Sequence, residues 1–150
     1  MGTRMAFARV TGMELDHGVV DPEWLRGVVR PGCELGAHWD AVQYLLDAAG
    51  VAVDLRVDGD PLDAGQTLAA WYPELVAEAA AALSGVPPEL IVARHDPVRM
   101  VEVGIDPGDP VVLLECLRSL ARFFADAAER GAGAVMLLRA EGVGRPVLSG

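Results

Sequence analysis

Apolar residues recur at helical spacing in three stretches of the chain, residues 35–49, 73–83 and 109–130. Positions three and four apart lie on one face of an α-helix, so this spacing gathers the apolar side chains into one stripe. The third stretch is the longest. Its predicted buried stripe is Leu113, Leu117, Leu120, Phe124 and Ala127. Each stretch therefore predicts an amphipathic helix that packs against a core.

Alternation of apolar and polar positions, which is typical of β-strands, occurs at residues 3–10 and 51–57. Residues 66–70 and 134–139 are further short runs that we interpret as strands. Few strands among many helices, without a regular βαβ repeat, predict an α+β fold. We expect a single compact domain in which several short helices and one long C-terminal helix pack on a small mixed or antiparallel sheet.

Aspartate precedes five of the ten prolines. An Asp side chain accepts N–H groups of a first helical turn, and proline suits the first helical position because it has no N–H to leave unpaired. We therefore interpret Asp-Pro as a marker of helix starts, with a turn at residues 58–61. The pairs are Asp21-Pro22, Asp60-Pro61, Asp96-Pro97, Asp106-Pro107 and Asp109-Pro110.

The chain is acidic, with 22 Asp and Glu against 12 basic residues and a formal charge of −10 over 150 residues. Such a surface repels phosphate groups, which disfavours a nucleic-acid-binding or membrane-surface protein. No apolar run approaches the roughly 20 residues that span a bilayer. Cys33 and Cys116 lack a disulfide spacing pattern. We expect a soluble cytoplasmic domain over residues 1–150, with a flexible tail from about residue 141.

Four segments carry a resemblance to a known family through their order and spacing. They are residues 38–46 (HWDAVQYLL), 71–79 (WYPELVAEA), 94–100 (RHDPVRM) and 120–131 (LARFFADAAERG). Together they resemble the YfbM-like family of small bacterial proteins, a domain of unknown function, over nearly the whole chain. The resemblance implies a compact α+β domain and no established activity.

The chain departs from that family pattern in two places. The family usually has His where Gln43 stands, and it usually carries a longer glycine-rich stretch where residues 58–66 stand here. A site that depends on that His or that loop in relatives is therefore altered or lost in this chain.

Aromatic and polar side chains of these segments are candidates for a pocket, namely Trp39, Asp40, Tyr44, Tyr72 and His95. Trp39 can line a pocket edge while Asp40 and Tyr44 present polar groups on the adjoining helix face. His95, next to Asp96, has the chemistry of a proton carrier or a metal ligand. The alternative needs no site, because an amphipathic helix buries Trp39 and a helix start uses Asp96 as its cap.

Carboxylates are densest at residues 54–63, where Asp54, Asp58 and Asp60 are weak candidate metal ligands. With His38 or His95 they have the donor chemistry of a metal-dependent phosphoester hydrolase. The alternative is a simple turn at residues 58–61. Because no HExxH motif or EF-hand loop is present, we expect no cofactor, and a divalent metal only if the chain is a hydrolase.

Three functions remain open at this point. The first is a non-catalytic domain that binds a small ligand or a protein, since folding needs explain every helix and turn. The second is a hydrolase, for example a metal-dependent phosphatase, that uses Asp40, His38 or His95 together with the acids of residues 54–63. The third is an immunity-type partner that neutralises a toxin, because an acidic surface suits a basic target. A reactive thiol at Cys33, which follows Pro31-Gly32 at an expected helix start, is a weaker hypothesis.

Overall fold

A five-stranded antiparallel sheet forms the centre of the molecule in the computed structural model, which describes residues 3–140. The strands are β1 (Thr3–Val10), β2 (Pro31–Gly36), β3 (Asp60–Pro61), β4 (Leu68–Trp71) and β5 (Gly133–Ala140), in the spatial order β2-β1-β5-β4-β3. The fold is α+β, as the sequence predicts, and of the two predicted sheet types, mixed and antiparallel, the structure has the antiparallel one. The expected tail from residue 141 lies outside the described residues.

Seven helices surround the sheet within residues 3–140. They are α1 (Gly12–Val20), α2 (Pro22–Val28), α3 (Trp39–Ala48), α4 (Pro73–Ser84), α5 (Pro88–Val92), α6 (Pro97–Glu102) and α7 (Pro110–Glu129). Each helix in this described part of the chain is too short or too polar to cross a lipid bilayer.

The two faces of the sheet carry different cores, because side chains alternate along each strand. We call the face under α3 to α7 the wide face; its core contains Phe7, Trp71 and Phe124. The Phe7 ring centroid lies 5.5 Å from that of Trp71 and 5.3 Å from that of Phe124. We call the face under α1 and α2 the narrow face. Its smaller cluster is Val10, Leu15, Leu25, Leu68, Ala70 and Val135.

The long helix α7 matches its prediction closely. All five residues of the predicted stripe are buried. Asp109 caps the helix by accepting the Val111 N–H at 2.9 Å, with Pro110 in the first turn. Sequence periodicity therefore sufficed to predict which side of α7 faces the wide-face core.

Three of the five Asp-Pro pairs start helices, those of Asp21, Asp96 and Asp109. The Asp21 and Asp96 carboxylates each accept an N–H of the first turn at 3.1 Å. Asp60-Pro61 instead forms β3, which pairs with β4. The Asp106 carboxylate accepts the Gly108 N–H in the segment before α7. The pair is therefore a frequent rather than a general helix start here.

The predicted strand at residues 51–57 is wrong. Val51, Val53 and Leu55 are buried as alternation requires, but the segment pairs with no strand within the described residues. The Gln43 side-chain amide takes the place of a neighbouring strand: its Nε2 donates to the Val53 carbonyl at 2.9 Å, and its Oε1 accepts the Leu55 N–H at 2.7 Å. A side chain of α3 thus holds this segment in place.

Two further boundaries differ from the prediction. Helix α1 was not predicted. It begins with a capping box, in which Thr11 Oγ1 accepts the Glu14 N–H and the Glu14 carboxylate accepts the Thr11 N–H. Pro31-Gly32, after which the sequence suggests a helix start at Cys33, instead begins β2. The helix predicted from residue 35 therefore starts only at Trp39, as α3.

Candidate functional site

Trp39 and Asp40 lie at the start of α3 and serve its attachment. The Trp39 Nε1–H lies 3.1 Å from both the Thr3 carbonyl and Thr3 Oγ1, so the indole links α3 to β1. Asp40 Oδ1 accepts the Ala41 N–H at 2.8 Å. Both residues have structural partners at the positions where the sequence suggested a pocket edge.

Tyr44, Tyr72 and His95 are dispersed rather than convergent. Tyr44 lines a groove of about 480 Å³ together with Asp96 and Arg99. The His95 Nε2 lies 3.0 Å from the Pro107 carbonyl oxygen, which holds the ring against the segment before α7. Tyr72 packs against the narrow-face cluster, whereas Trp39 and Tyr44 pack against the wide-face core. The five candidates therefore do not share one volume, since the sheet separates Tyr72 from the others.

Two of the candidate metal ligands, Asp54 and Asp58, stabilise a turn at residues 55–57. Asp54 Oδ1 accepts the N–H groups of Arg56 and Val57, and Asp58 Oδ2 accepts the Asp54 N–H at 2.9 Å. Asp60 is exposed in β3. Within residues 3–140 no three His, Cys, Asp or Glu side chains gather in a way that could hold a metal ion. Local hydrogen bonds thus account for Asp54 and Asp58, whereas the exposed Asp60 is simply a residue of β3.

Cys33 is not at a helix start but in β2, where it is buried. Burial raises its pKa to about 11, and a hydrogen bond from Ser119 Oγ at 3.5 Å only partly opposes that effect. Burial also raises the pKa of Cys116 in α7. The structure thus contradicts the expectation of a helix-start thiol with a lowered pKa.

A further surface depression lies between the end of α2, the β1–β2 edge and α7. It has a volume of about 600 Å³, and we call it the arginine groove. Its lining comprises Arg9, Val10, Glu14, Val28, Val29, Arg30, Gly32, Ser119, Arg122, Phe123 and Asp126. Helices of both layers contribute, so the groove lies where the wide-face and narrow-face layers meet.

The Asp126 carboxylate makes ion pairs with two arginines, of which Arg9 lines this groove. Arg9 Nη1 lies 2.7 Å from Asp126 Oδ2, and Arg130 Nε lies 3.1 Å from the same oxygen. The hydrogen bonds from Arg130 and Arg9 hold the pKa of Asp126 below its usual value. The positive charge of Arg9 is therefore already matched.

Arg30 and Arg122 have no such carboxylate partner among residues 3–140. Arg30 Nη1 reaches only the carbonyls of Val28 and Val29, at 3.5 and 3.3 Å. Arg122 is exposed and makes neither an ion pair nor a hydrogen bond with any residue between 3 and 140. Two cationic side chains with unmatched charge thus face one groove of an acidic protein.

Comparison with known proteins gives a family and a fold. A family model described as Domain of unknown function (DUF1877) matches residues 1–137. The chain belongs to this family. A solved structure, a protein of unknown function, YfbM from Escherichia coli, is similar to this DUF1877 chain with a TM-score of 0.66 at 14% identity, covering 89% of this chain and 98% of that one. No curated protein matches the sequence significantly.

These findings confirm the YfbM-like resemblance and the α+β fold of this DUF1877 member. At 14% identity the likeness to YfbM shows the fold alone. Neither the family description nor the name of that structure states a ligand, a reaction or a partner. Ligand binding, hydrolysis and toxin neutralisation therefore remain hypotheses.

The sequence reading of this DUF1877 chain missed the arginine groove. Arg9, Arg30 and Arg122 are far apart along the chain, and Arg122 alternates with acids on α7. The linear pattern therefore resembled an ordinary solvated helix face. The order of strands β2 and β1 beside α7 is what brings the three arginines together, and no local motif encodes it.

Proposed function

We propose that this domain is a non-catalytic binding protein whose small-molecule ligand occupies the arginine groove. The observation that carries the proposal is the groove itself, a depression of about 600 Å³ with cationic, hydroxyl and aromatic groups around it. Ligand sites are typically concave, roughly 300–1,000 Å³ in volume, and combine apolar lining with a few polar groups.

Close packing of β2 against Phe123 supports a pre-formed site. The Phe123 ring is half-buried and contacts Phe124, with ring centroids 5.3 Å apart. A Cβ atom added at Gly32 would come within 3.2 Å of Phe123 Cε1, so the backbone of β2 lies directly beside the ring. The aromatic part of the lining is thus held in place before any ligand arrives, which lowers the cost of binding.

The state of the polar groups supports binding without catalysis. The Glu14 carboxylate caps α1, Asp126 is held by two arginines, and Ser119 Oγ donates to Cys33. The lining contains no histidine or cysteine. A nucleophile or general base requires a free group poised near its target, and each acidic or hydroxyl group in the lining already has a structural partner.

A fragment screen by amide NMR tests this proposal directly. The library contains cationic, anionic and neutral molecules, and Val28→Trp fills the groove from an exposed position at the end of α2. Val98→Trp on α6 is the matched control, since Val98 is also exposed but lies outside the groove. We expect fragments whose shifts map to the groove in the wild type and in Val98→Trp, and not in Val28→Trp. A screen in which no fragment maps to the groove would refute the proposal.

Enzyme assays test the non-catalytic part separately. Purified protein is incubated with a generic phosphoester and magnesium, manganese or zinc, and release of phosphate is measured. We expect none above the rate without protein. Turnover that disappears in Asp40→Ala would instead support the hydrolase hypothesis and contradict ours.

A further inference from the structure

We infer that the ligand of the arginine groove is a small organic oxyanion, a carboxylate or phosphate ester, whose charged group binds to Arg122 and Arg30 while its apolar part contacts Phe123. This inference rests on the proposed function and adds the chemical class of the ligand.

The charges of the lining favour an anion. Three arginines and two carboxylates line the groove, so its lining is net positive although the chain carries a formal charge of −10. Arg9 pairs with Asp126, and Glu14 is engaged by the N–H of Thr11. A cationic ligand would therefore face the unmatched charges of Arg30 and Arg122, whereas an anion would be attracted by both.

The two arginines also retain donors for an oxyanion. A guanidinium group has five N–H donors in a planar fork that matches the oxygens of a carboxylate or phosphate. Arg30 uses Nη1 on the carbonyls of Val28 and Val29, which leaves its remaining N–H groups available. Arg122 has all of its donors available within the described residues. The lining thus supplies charge-assisted hydrogen bonds, which are stronger than neutral ones.

The apolar lining indicates that the uncharged part of the ligand is apolar. Val10, Val28 and Phe123 surround the same groove as the arginines. An ion as small as inorganic phosphate would leave most of the volume of about 600 Å³ filled with water. A molecule with a ring or a short chain covers the apolar surface and gains the free energy of its removal from water.

Four probes separate these contributions by isothermal titration and amide NMR. Phenylphosphonate and phenylacetate carry both the anion and the ring, benzyl alcohol carries only the ring, and inorganic phosphate carries only the charge. We expect the two aromatic anions to bind at least about tenfold more tightly than either partial probe. Their affinity should also fall as salt is raised, because salt screens the attraction.

Variants locate the anion. Arg122→Gln and Arg30→Gln should each weaken phenylphosphonate binding by about tenfold. Arg122→Lys keeps the positive charge but not the planar guanidinium, so its affinity should lie between those of the wild type and Arg122→Gln. Arg94→Gln is the matched control, since Arg94 is also exposed but lies outside the groove. It should bind like the wild type. Thermal melts of each variant establish that the fold is retained.

The possible outcomes distinguish this inference from the proposal beneath it. Benzyl alcohol binding as tightly as the aromatic anions, or affinities unchanged in both Gln variants, would overturn the oxyanion while the groove remained a binding site. Inorganic phosphate binding as tightly as phenylphosphonate would refute the claim that an apolar part of the ligand contacts Phe123. If fragments bind in the groove but neither aromatic anion does, the inference of an oxyanion ligand is refuted and the groove remains a binding site. If no fragment binds in the groove, the proposed function and this inference are both refuted.

Discussion

The two faces of the sheet differ in what their side chains do. On the wide face, Phe7, Trp71 and Phe124 are fully buried and contact one another edge to face or at a tilt. The narrow face is covered by two short helices over a small, mostly aliphatic cluster. The arginine groove lies where the two layers meet. This contrast indicates that the wide face supplies most of the stability, while unmatched polar groups gather at the junction, where folding does not require them to be paired.

The largest expected effect tests the wide face. Phe124→Ala should lower the free energy of unfolding by about 4 kcal/mol, because it removes a ring in contact with three other aromatic rings and leaves a cavity. Leu25→Ala on the narrow face should cost about 2 kcal/mol, near the low end for such truncations. Urea denaturation of both variants measures the difference. An equal or larger cost at Leu25 would contradict the contrast between the faces.

The next effect concerns the attachment of residues 51–57 to the wide face. Gln43→Ala removes the partners of the Val53 carbonyl and the Leu55 N–H, and we expect a loss of about 2 kcal/mol, since partly buried backbone groups are left unpaired. Hydrogen exchange of the Leu55 amide should accelerate in step with the loss of stability measured by denaturation.

Gln43→Glu separates the two hydrogen bonds. It keeps an oxygen that can accept the Leu55 N–H and removes the donor to the Val53 carbonyl. At neutral pH the second carboxylate oxygen faces the Val53 carbonyl and Asp47 Oδ1, the two acceptors of the Gln43 amide. We therefore expect a cost at least as large as that of Gln43→Ala, with the Leu55 amide still protected by its own acceptor. A Leu55 amide that exchanges as fast as in Gln43→Ala would show that the acceptor alone does not hold the segment.

Gln43 also explains where sequence reasoning about the fold failed. The alternation at residues 51–57 correctly indicated buried Val51, Val53 and Leu55, yet the segment is not a strand. Periodicity reports which side chains face a core, whereas strand pairing depends on what lies beside the backbone. That neighbour is a side chain from α3, which no local pattern in residues 51–57 encodes. By contrast, the stripe of α7 needed only its own spacing and was confirmed in full.

The candidate site was harder to predict for the same reason. Trp39, Asp40 and His95 carry chemistry that also suits helix anchoring, and the structure gives each of them a structural contact. The groove arginines are ordinary surface residues in sequence, and only the tertiary arrangement gathers them. Residue type therefore pointed to side chains that the fold disperses, whereas the topology gathers the arginines at a groove that no local pattern predicts.

The narrow face has its own polar attachment at Asp63, with a smaller expected effect. Partial burial alone would raise the Asp63 pKa, but hydrogen bonds from Thr67 and Leu68 outweigh it and lower the pKa. Arg26 of α2 lies 3.5 Å away. Because the folded-state pKa is depressed, this stabilisation is present above the ordinary Asp value near pH 4 and is lost as pH falls through the folded-state pKa.

Asp63→Asn should therefore cost about 1 kcal/mol at neutral pH. It should also flatten the decline in stability between about pH 4 and pH 2, relative to the wild type. Denaturation across that range measures the slope, with Asp16→Asn, an exposed substitution on α1, as the control. If the stability of Asp63→Asn falls with pH as steeply as that of the wild type, a group other than Asp63 causes the acid sensitivity.

The smallest expected effect tests the junction itself. Arg122 has no ion pair or hydrogen bond within residues 3–140, so Arg122→Gln should change the free energy of unfolding by less than about 0.5 kcal/mol. A binding surface has this property, because its charges are reserved for the ligand and contribute little to the unliganded fold. A loss of more than about 1 kcal/mol in the free energy of unfolding would show that Arg122 has a structural role. The side chains at the junction would then stabilise the fold, as those on the two faces of the sheet do.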